Sequence, residues 1–143
     1  MGSNRYKPIG EVEGPMMPLN PSMETYLERM AALCEENGVR LLLVKVPGIP
    51  WMSVEKHNAI KAFADRHGLD FIDFNEDEVF YGGLDYWFES DNCDTEHSNH
   101  WGACKLMDYI GGFITDEYGL EPHEDSDFEA FSEYYENWID QEI

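Results

Sequence analysis

An α/β fold with parallel strands is what this sequence predicts, on three observations. The segments between Asn20 and Phe74 alternate in the order helix, strand, helix, strand. The run Val39 to Val46 is short, apolar and rich in β-branched residues, bounded by Gly38 and Pro47. Such a run reads as a strand buried on both faces, as in a parallel sheet covered by helices. A second short run, Leu69 to Phe74, follows one helix later, and a right-handed crossover makes the two strands parallel neighbours.

Each element has a local cause. Residues 1–20 carry Pro8, Gly10, Gly14, Pro15 and Pro18 with little periodicity, and read as an extended lead-in. Asn20-Pro21 supplies an N-cap followed by proline in the first turn, and Met23, Leu27, Met30 and Cys34 recur at helical spacing up to Gly38, as a core stripe does. After the first strand, Pro47 to Trp51 form a rigid loop, and Ser53 is the expected N-cap of a helix from Val54 to His67 that stops at Gly68. Ile60, Phe63 and Ala64 face the sheet, while His57 and His67 are expected at the surface or at helix ends. The loop Asn75 to Asn92 is long, and its aromatics Phe80, Tyr81, Tyr86, Trp87 and Phe88 either cover a pocket or fold back on the core. A helix is predicted from Thr95 to Tyr118, with Trp101, Leu106, Ile110 and Phe113 inward, a weak point at Gly111-Gly112 and a stop at Gly119. In the tail, 121–143, Ser126-Asp127-Phe128-Glu129 is a capping box, and Phe128, Phe131, Tyr135 and Trp138 share a helical stripe. The chain therefore divides into a lead-in, 1–20, an α/β domain, 21–120, and an acidic amphipathic helix, 121–143.

Composition narrows the classes. At 143 residues the chain fits one domain with a real core, and 43% hydrophobic and 14% aromatic residues argue against disorder. No apolar run reaches the roughly 20 residues a membrane helix needs, and the first residues lack the basic-then-apolar profile of a secretion signal, which leaves localisation open. Three cysteines cannot all pair within the chain, and Cys34, on an apolar helix face, reads as a small buried hydrophobe. The net charge of −21 is uneven: residues 1–66 hold eight basic and eight acidic side chains, and residues 67–143 hold Lys105 alone against 22 acidic ones. That surface repels phosphate backbones and anionic lipid, so nucleic acid and membrane insertion are not expected. A solvated acidic face accounts for the charge, and an acidic groove for a cationic partner is the sharper alternative.

The chemistry concentrates between Asp91 and Cys104, where three carboxylates, two histidines and two cysteines occupy fourteen positions. Asp94 and His97 are spaced Asp-x-x-His at a helix start, so one turn of backbone carries a carboxylate to an imidazole. A carboxylate on one ring nitrogen sets the tautomer, leaves the other to accept a proton from a hydroxyl and stabilises the imidazolium. Imidazole suits that task near neutral pH, with an unperturbed pKa of about 6.5. Ser98 is adjacent to His97, and helix neighbours diverge, so it is not the missing hydroxyl. Two other readings compete. Asp94 serves as an N-cap accepting the His97 N–H, which is the commoner meaning of this spacing. Alternatively Cys93, His97, His100 and Cys104 ligate zinc, although their spacing departs from the usual two separated pairs.

The strand closing on proline at Leu41 to Pro47, the strand Leu69 to Asp73 and the block Asp94-x-x-His97-x-Asn99-x-x-Gly102 together resemble the C-terminal part of an SGNH hydrolase domain, the family also called GDSL-like lipases and acylhydrolases. The variant His97-x-Asn99-x-x-Gly102-Ala103-x-Lys105 is similar to the branch with cell-surface and polysaccharide-acetylating members. The resemblance covers about residues 20–120. It implies a three-layer, flavodoxin-like α/β/α domain of five parallel strands, of which only the last two are evident here. It also implies that Asp94 orients, His97 acts as general base, and Asn99 and Gly102 support them. No cofactor is implied, and the substrate class is a small-molecule or carbohydrate ester, in a parent protein that is cell-surface or secreted. The Gly-Asp-Ser nucleophile block and the glycine and asparagine oxyanion donors have no counterpart, and Ser3, Ser22, Ser53, Ser90, Ser98, Ser126 and Ser132 lie in other contexts. Without nucleophile and oxyanion hole, acyl transfer lacks its covalent step and its main electrostatic stabilisation. The expectation is an acid/base-bearing portion of an esterase or O-acyltransferase, inactive alone. The alternative is a non-enzymatic acidic α/β module that binds a partner or a metal. Self-association through exposed sheet edges is a further expectation.

Overall fold

The computed structural model describes residues 13–48, 53–76, 79, 84–95 and 97–120. The expected tail helix, Phe80, Tyr81, the loop residues Ile49 to Trp51, Pro8 and Gly10 lie outside the described residues. Among those described, the fold is mixed α/β, with helices α1 (Pro21–Glu36), α2 (Val54–His67), α3 (Phe88–Asp91) and α4 (His100–Tyr118) and strands β1 (Leu42–Lys45) and β2 (Asp70–Asp73). The chain divides into two compact units, Met1–Tyr109 and Ile110–Ile143.

Helix α1 starts where Asn20 Oδ1 accepts the backbone N–H groups of Ser22 (2.9 Å) and Met23 (3.4 Å), with Pro21 in the first turn. It ends at Asn37, Gly38 takes a left-handed φ of 64°, and the Val39 N–H reaches back to the Cys34 carbonyl (2.8 Å). The expected core stripe is split. Ala31 is buried and Leu27 and Cys34 are half-buried, but Met23 (52% exposed) and Met30 (42%) face solvent together with Tyr26 (69%) and Leu33 (61%). The reason is that α1 is held to α2 by its polar shoulder: Arg66 bonds Glu24 (2.9 Å) and Glu28 (3.2 Å), and His67 pairs with Glu28 (3.0 Å).

Strands β1 and β2 pair in parallel, Leu42 with Asp70 through Lys45 with Asp73, joined through α2 as a strand–helix–strand unit is. The double-sided burial expected of β1 is not found. Val44 is 39% exposed, because among the described residues α2 packs against β2 and leaves this face of β1 uncovered. Burial concentrates instead under β2 and α2, where Phe63, Phe74, Ala59, Ala64 and Ile72 form the core and Tyr109 meets Phe74 edge-on at 5.2 Å.

Helix α2 begins at Ser53, but the Ser53 side chain does not cap it. That hydroxyl bonds Glu55 instead, and with the Glu55 backbone N–H, the larger influence, it holds the Glu55 carboxyl below its ordinary value. The lead-in crosses this first turn: Asn58 donates to the carbonyls of Gly14 (3.0 Å) and Pro15 (3.2 Å), and Met17 N–H to Glu55 O (3.2 Å). Helix α4 starts at His100 rather than Thr95 and runs unbroken through Gly111-Gly112 to Tyr118, where Gly119 at φ 64° stops it. Leu106 is buried, whereas Trp101, expected inward, is 60% exposed.

Candidate active site

The residues ahead of α4 form a closed turn. Asn92 and Ser98 make an antiparallel bridge, and inside it Cys93 N–H donates to the His97 carbonyl at 2.8 Å. Within this turn the Asp94 carboxylate meets His97 twice, but not as a helix N-cap, because the helix starts only at His100. Its Oδ1 accepts the His97 backbone N–H at 2.9 Å, and His97 Nδ1 lies 3.0 Å from Oδ1 and 2.9 Å from Oδ2. The backbone contact and the acid–imidazole contact are compatible, because one carboxylate has lone pairs enough for both donors. Both side chains face solvent, His97 at 73% and Asp94 at 56% exposure.

Asn99 and Gly102 shape the helix start. Asn99 Oδ1 accepts the Gly102 N–H (3.1 Å) and its carbonyl accepts the Ala103 N–H (2.8 Å), the two bonds of an N-cap. Its own amide groups tie back to α3, side-chain N–H to Ser90 O at 2.6 Å and backbone N–H to Asp91 O at 2.8 Å. A Cβ on Gly102 would lie 2.1 Å from the Asp91 carbonyl oxygen, so the contact between α4 and α3 admits only glycine there. Together they explain Asn-x-x-Gly after the histidine as a hinge that seats α4 on α3.

Beneath the turn lies a second network. Asp91, 2% exposed, accepts Lys105 Nζ (2.9 Å) and Trp87 N–H (2.6 Å) on Oδ2, and Lys105 also donates to Asp85 O (2.7 Å). Tyr86, 3% exposed, places its hydroxyl against the Asn92 side-chain oxygen, the Ser98 hydroxyl (2.9 Å) and the Asp91 carbonyl (3.3 Å). Burial pushes the Tyr86 phenol above its ordinary value, Asp91 and Cys93 push it further, and the Ser98 bond opposes them. Of the loop aromatics, Tyr86 folds inward and Trp87 is 57% exposed.

The four residues considered as zinc ligands do not assemble. His100 and Cys104 approach each other along one face of α4, Sγ to Nε2 at 3.8 Å, while Cys93 and His97 belong to the turn ahead of the helix. Among the described residues no group of three His, Cys, Asp or Glu side chains is arranged to hold a metal ion.

One correction concerns His57. Expected at the surface or at a helix end, it lies in the first turn of α2 but is 2% exposed, with Nδ1 2.9 Å from Oδ2 of the fully buried Asp73 and Nε2 3.5 Å from Glu76. Asp73 Oδ1 accepts the backbone and side-chain N–H groups of Asn75 (2.9 and 2.7 Å), and Asn75 in turn bonds Val46 O and Gly48 N–H, both at 3.2 Å. This knot ties the carboxyl ends of both strands to the first turn of α2. Topology held a usable signal: a helix leaving one parallel strand begins at the same sheet edge where the next strand ends.

No protein-family model, no curated protein and no solved structure matches this chain. Among the described residues no helix is long and apolar enough to cross a membrane.

Proposed function

We propose that the chain is the acid/base-bearing portion of an SGNH-type ester hydrolase or O-acyltransferase, with Asp94 orienting and His97 acting as general base toward a serine that this polypeptide does not supply. The observation that carries this reading is the Nδ1 contact of His97 with both carboxylate oxygens of Asp94 in a solvent-facing pair. An ion pair this exposed contributes only about 0–1 kcal/mol to stability, so holding it in a closed, doubly anchored turn is a poor investment in the fold alone. The serine contexts agree: the hydroxyls of Ser53, Ser90 and Ser98 are engaged by Glu55, the Trp87 carbonyl and Tyr86.

The finer architecture belongs to the same proposal. β1 and β2 are the last two strands of a three-layer α/β/α domain, and the missing strands lie against the β1 edge. The exposure of Val44, Val46 and the α1 stripe supports it, since a two-stranded sheet is marginal by itself and these are the surfaces a wider sheet and its helices cover. The substrate class is a small-molecule or carbohydrate ester.

The test is to supply a serine-bearing α/β unit, encoded upstream of Met1 or added in trans, and to follow short-chain nitrophenyl ester turnover. Turnover is expected only with that unit, and His97→Ala lowers it by about 10²–10⁴-fold. His97-dependent turnover by the chain alone, or turnover indifferent to His97→Ala, overturns the proposal. A second reading, a non-enzymatic module docking a partner through α1, rests on the same exposed stripe and differs in requiring no dependence on His97.

A further inference from the structure

The Asp94–His97 pair is held by the backbone it stands on, since its side chains are mostly in water and their mutual attraction there is weak. Backbone bonds close that turn from within, Cys93 N–H to the His97 carbonyl and Asn99 N–H to the Asp91 carbonyl, and a buried hydroxyl braces it from beneath. The turn has two arms, Asn92-Cys93 leading in and Ser98-Asn99 leading out, and the Tyr86 oxygen touches a side chain on each. The donor count is consistent: the phenol O–H goes to the Asn92 side-chain oxygen, the Ser98 hydroxyl donates to the phenol oxygen, and the Asn92 side-chain N–H donates onward to the Asp94 carbonyl (3.3 Å). The hydroxyl thus reaches the Asp94 backbone through two hydrogen bonds on one side, and on the other bonds the residue next to His97. Tyr86 itself does not move with the turn, because its ring is buried and Asp85 and Trp87 on either side are tied to Lys105 and Asp91.

We infer that Tyr86 is a positioning residue for the Asp94–His97 pair, a clamp that closes both arms of the turn and so keeps the Asp94 carboxylate on His97 Nδ1. The inference rests on the acid–base reading above and names a residue that sets the geometry of the same site. A neutral His97 held in this way carries its proton on Nδ1, whereas a released side chain reverts to the Nε2-protonated form that free imidazole groups prefer. That difference is visible without turnover, and a merely structural residue has no cause to change it.

The experiment is two-bond ¹H–¹⁵N correlation of the histidine rings in the whole chain, above the pH of imidazole titration. In the wild type His97 is expected as the Nδ1–H tautomer, and Asp94→Asn switches the majority to Nε2–H. Tyr86→Phe, which removes only the hydroxyl, is expected to switch it in the same direction while the amide spectrum of β1, β2 and α2 stays in place. Tyr86→Phe with His97 still in the Nδ1–H form overturns the clamp and leaves the pair standing. If the wild-type ring is Nε2–H, or Asp94→Asn leaves it unchanged, the pair itself is absent in solution, and the acid–base reading falls with the inference. Should Tyr86→Phe unfold the chain, Ser98→Ala cuts one arm alone and decides the matter: a tautomer shift supports the clamp and an unchanged ring overturns it.

Discussion

Gly102 shows how one missing carbon decides where a helix sits. A methyl group there meets the Asp91 carbonyl at 2.1 Å, and the obstacle is backbone, which cannot swing aside as a side-chain end does. Gly102→Ala is therefore expected to cost about 1–3 kcal/mol, as overpacked sites do, despite the gain in helix propensity of roughly 1 kcal/mol. A urea midpoint equal to or above the wild-type value would refute the close seating of α4 on α3. At this scale much was legible in the sequence. The Asp94–His97 contact lies three residues apart, and local hydrogen bonding settles it. Tyr86 was harder to read, because its partners Asn92 and Ser98 are six and twelve residues away and only folding brings them to one oxygen. Trp101 misled for the opposite reason: size suggested burial, but α4 starts five residues later than Thr95, and the indole lies in its first turn, 60% exposed.

The elements α1, β1, α2 and β2 were legible from caps and apolar runs, and their parallel pairing from handedness. The polar core between them was not, since nothing in the sequence near His57 names Asp73 as its partner. That pair carries the next expectation. Asp73 lies fully buried, accepts from His57 and twice from Asn75, and its removal takes the acceptor from His57 Nδ1 and from the Asn75 backbone N–H inside the core. Leaving a buried polar group without its acceptor costs about 1–3 kcal/mol, more than the loss of an exposed pair such as Arg66 with Glu24. Asp73→Ala is expected to lower the denaturation midpoint accordingly and Glu24→Ala to shift it by under about 1 kcal/mol. Equal effects from the two substitutions would show that the knot at the carboxyl ends of the strands does not anchor the sheet.

For the whole molecule the dominant quantity is the charge of −21, and its consequence depends on which electrostatic effect wins. Salt weakens the exposed pairs Lys61–Asp65, Arg66–Glu24 and Arg66–Glu28, each worth about 0.2–1 kcal/mol. Salt also screens repulsion among the 22 carboxylates of residues 67–143, which have one lysine to offset them. Lys105 is already bound to Asp91 at 2.9 Å, so the surplus of carboxylates in this half of the sequence has no further lysine or arginine to offset it. Between roughly 0.01 M and 1 M sodium chloride the Debye length falls from about 30 Å to about 3 Å, so the long-range repulsion is removed first and most completely. The melting temperature is therefore expected to rise by several degrees across that range, at about 2–8 °C per kcal/mol for a chain of this size. A melting temperature that falls with salt would mean that local ion pairs outweigh the acidic surplus, and that the surplus lies too far apart in the folded chain to act on its stability.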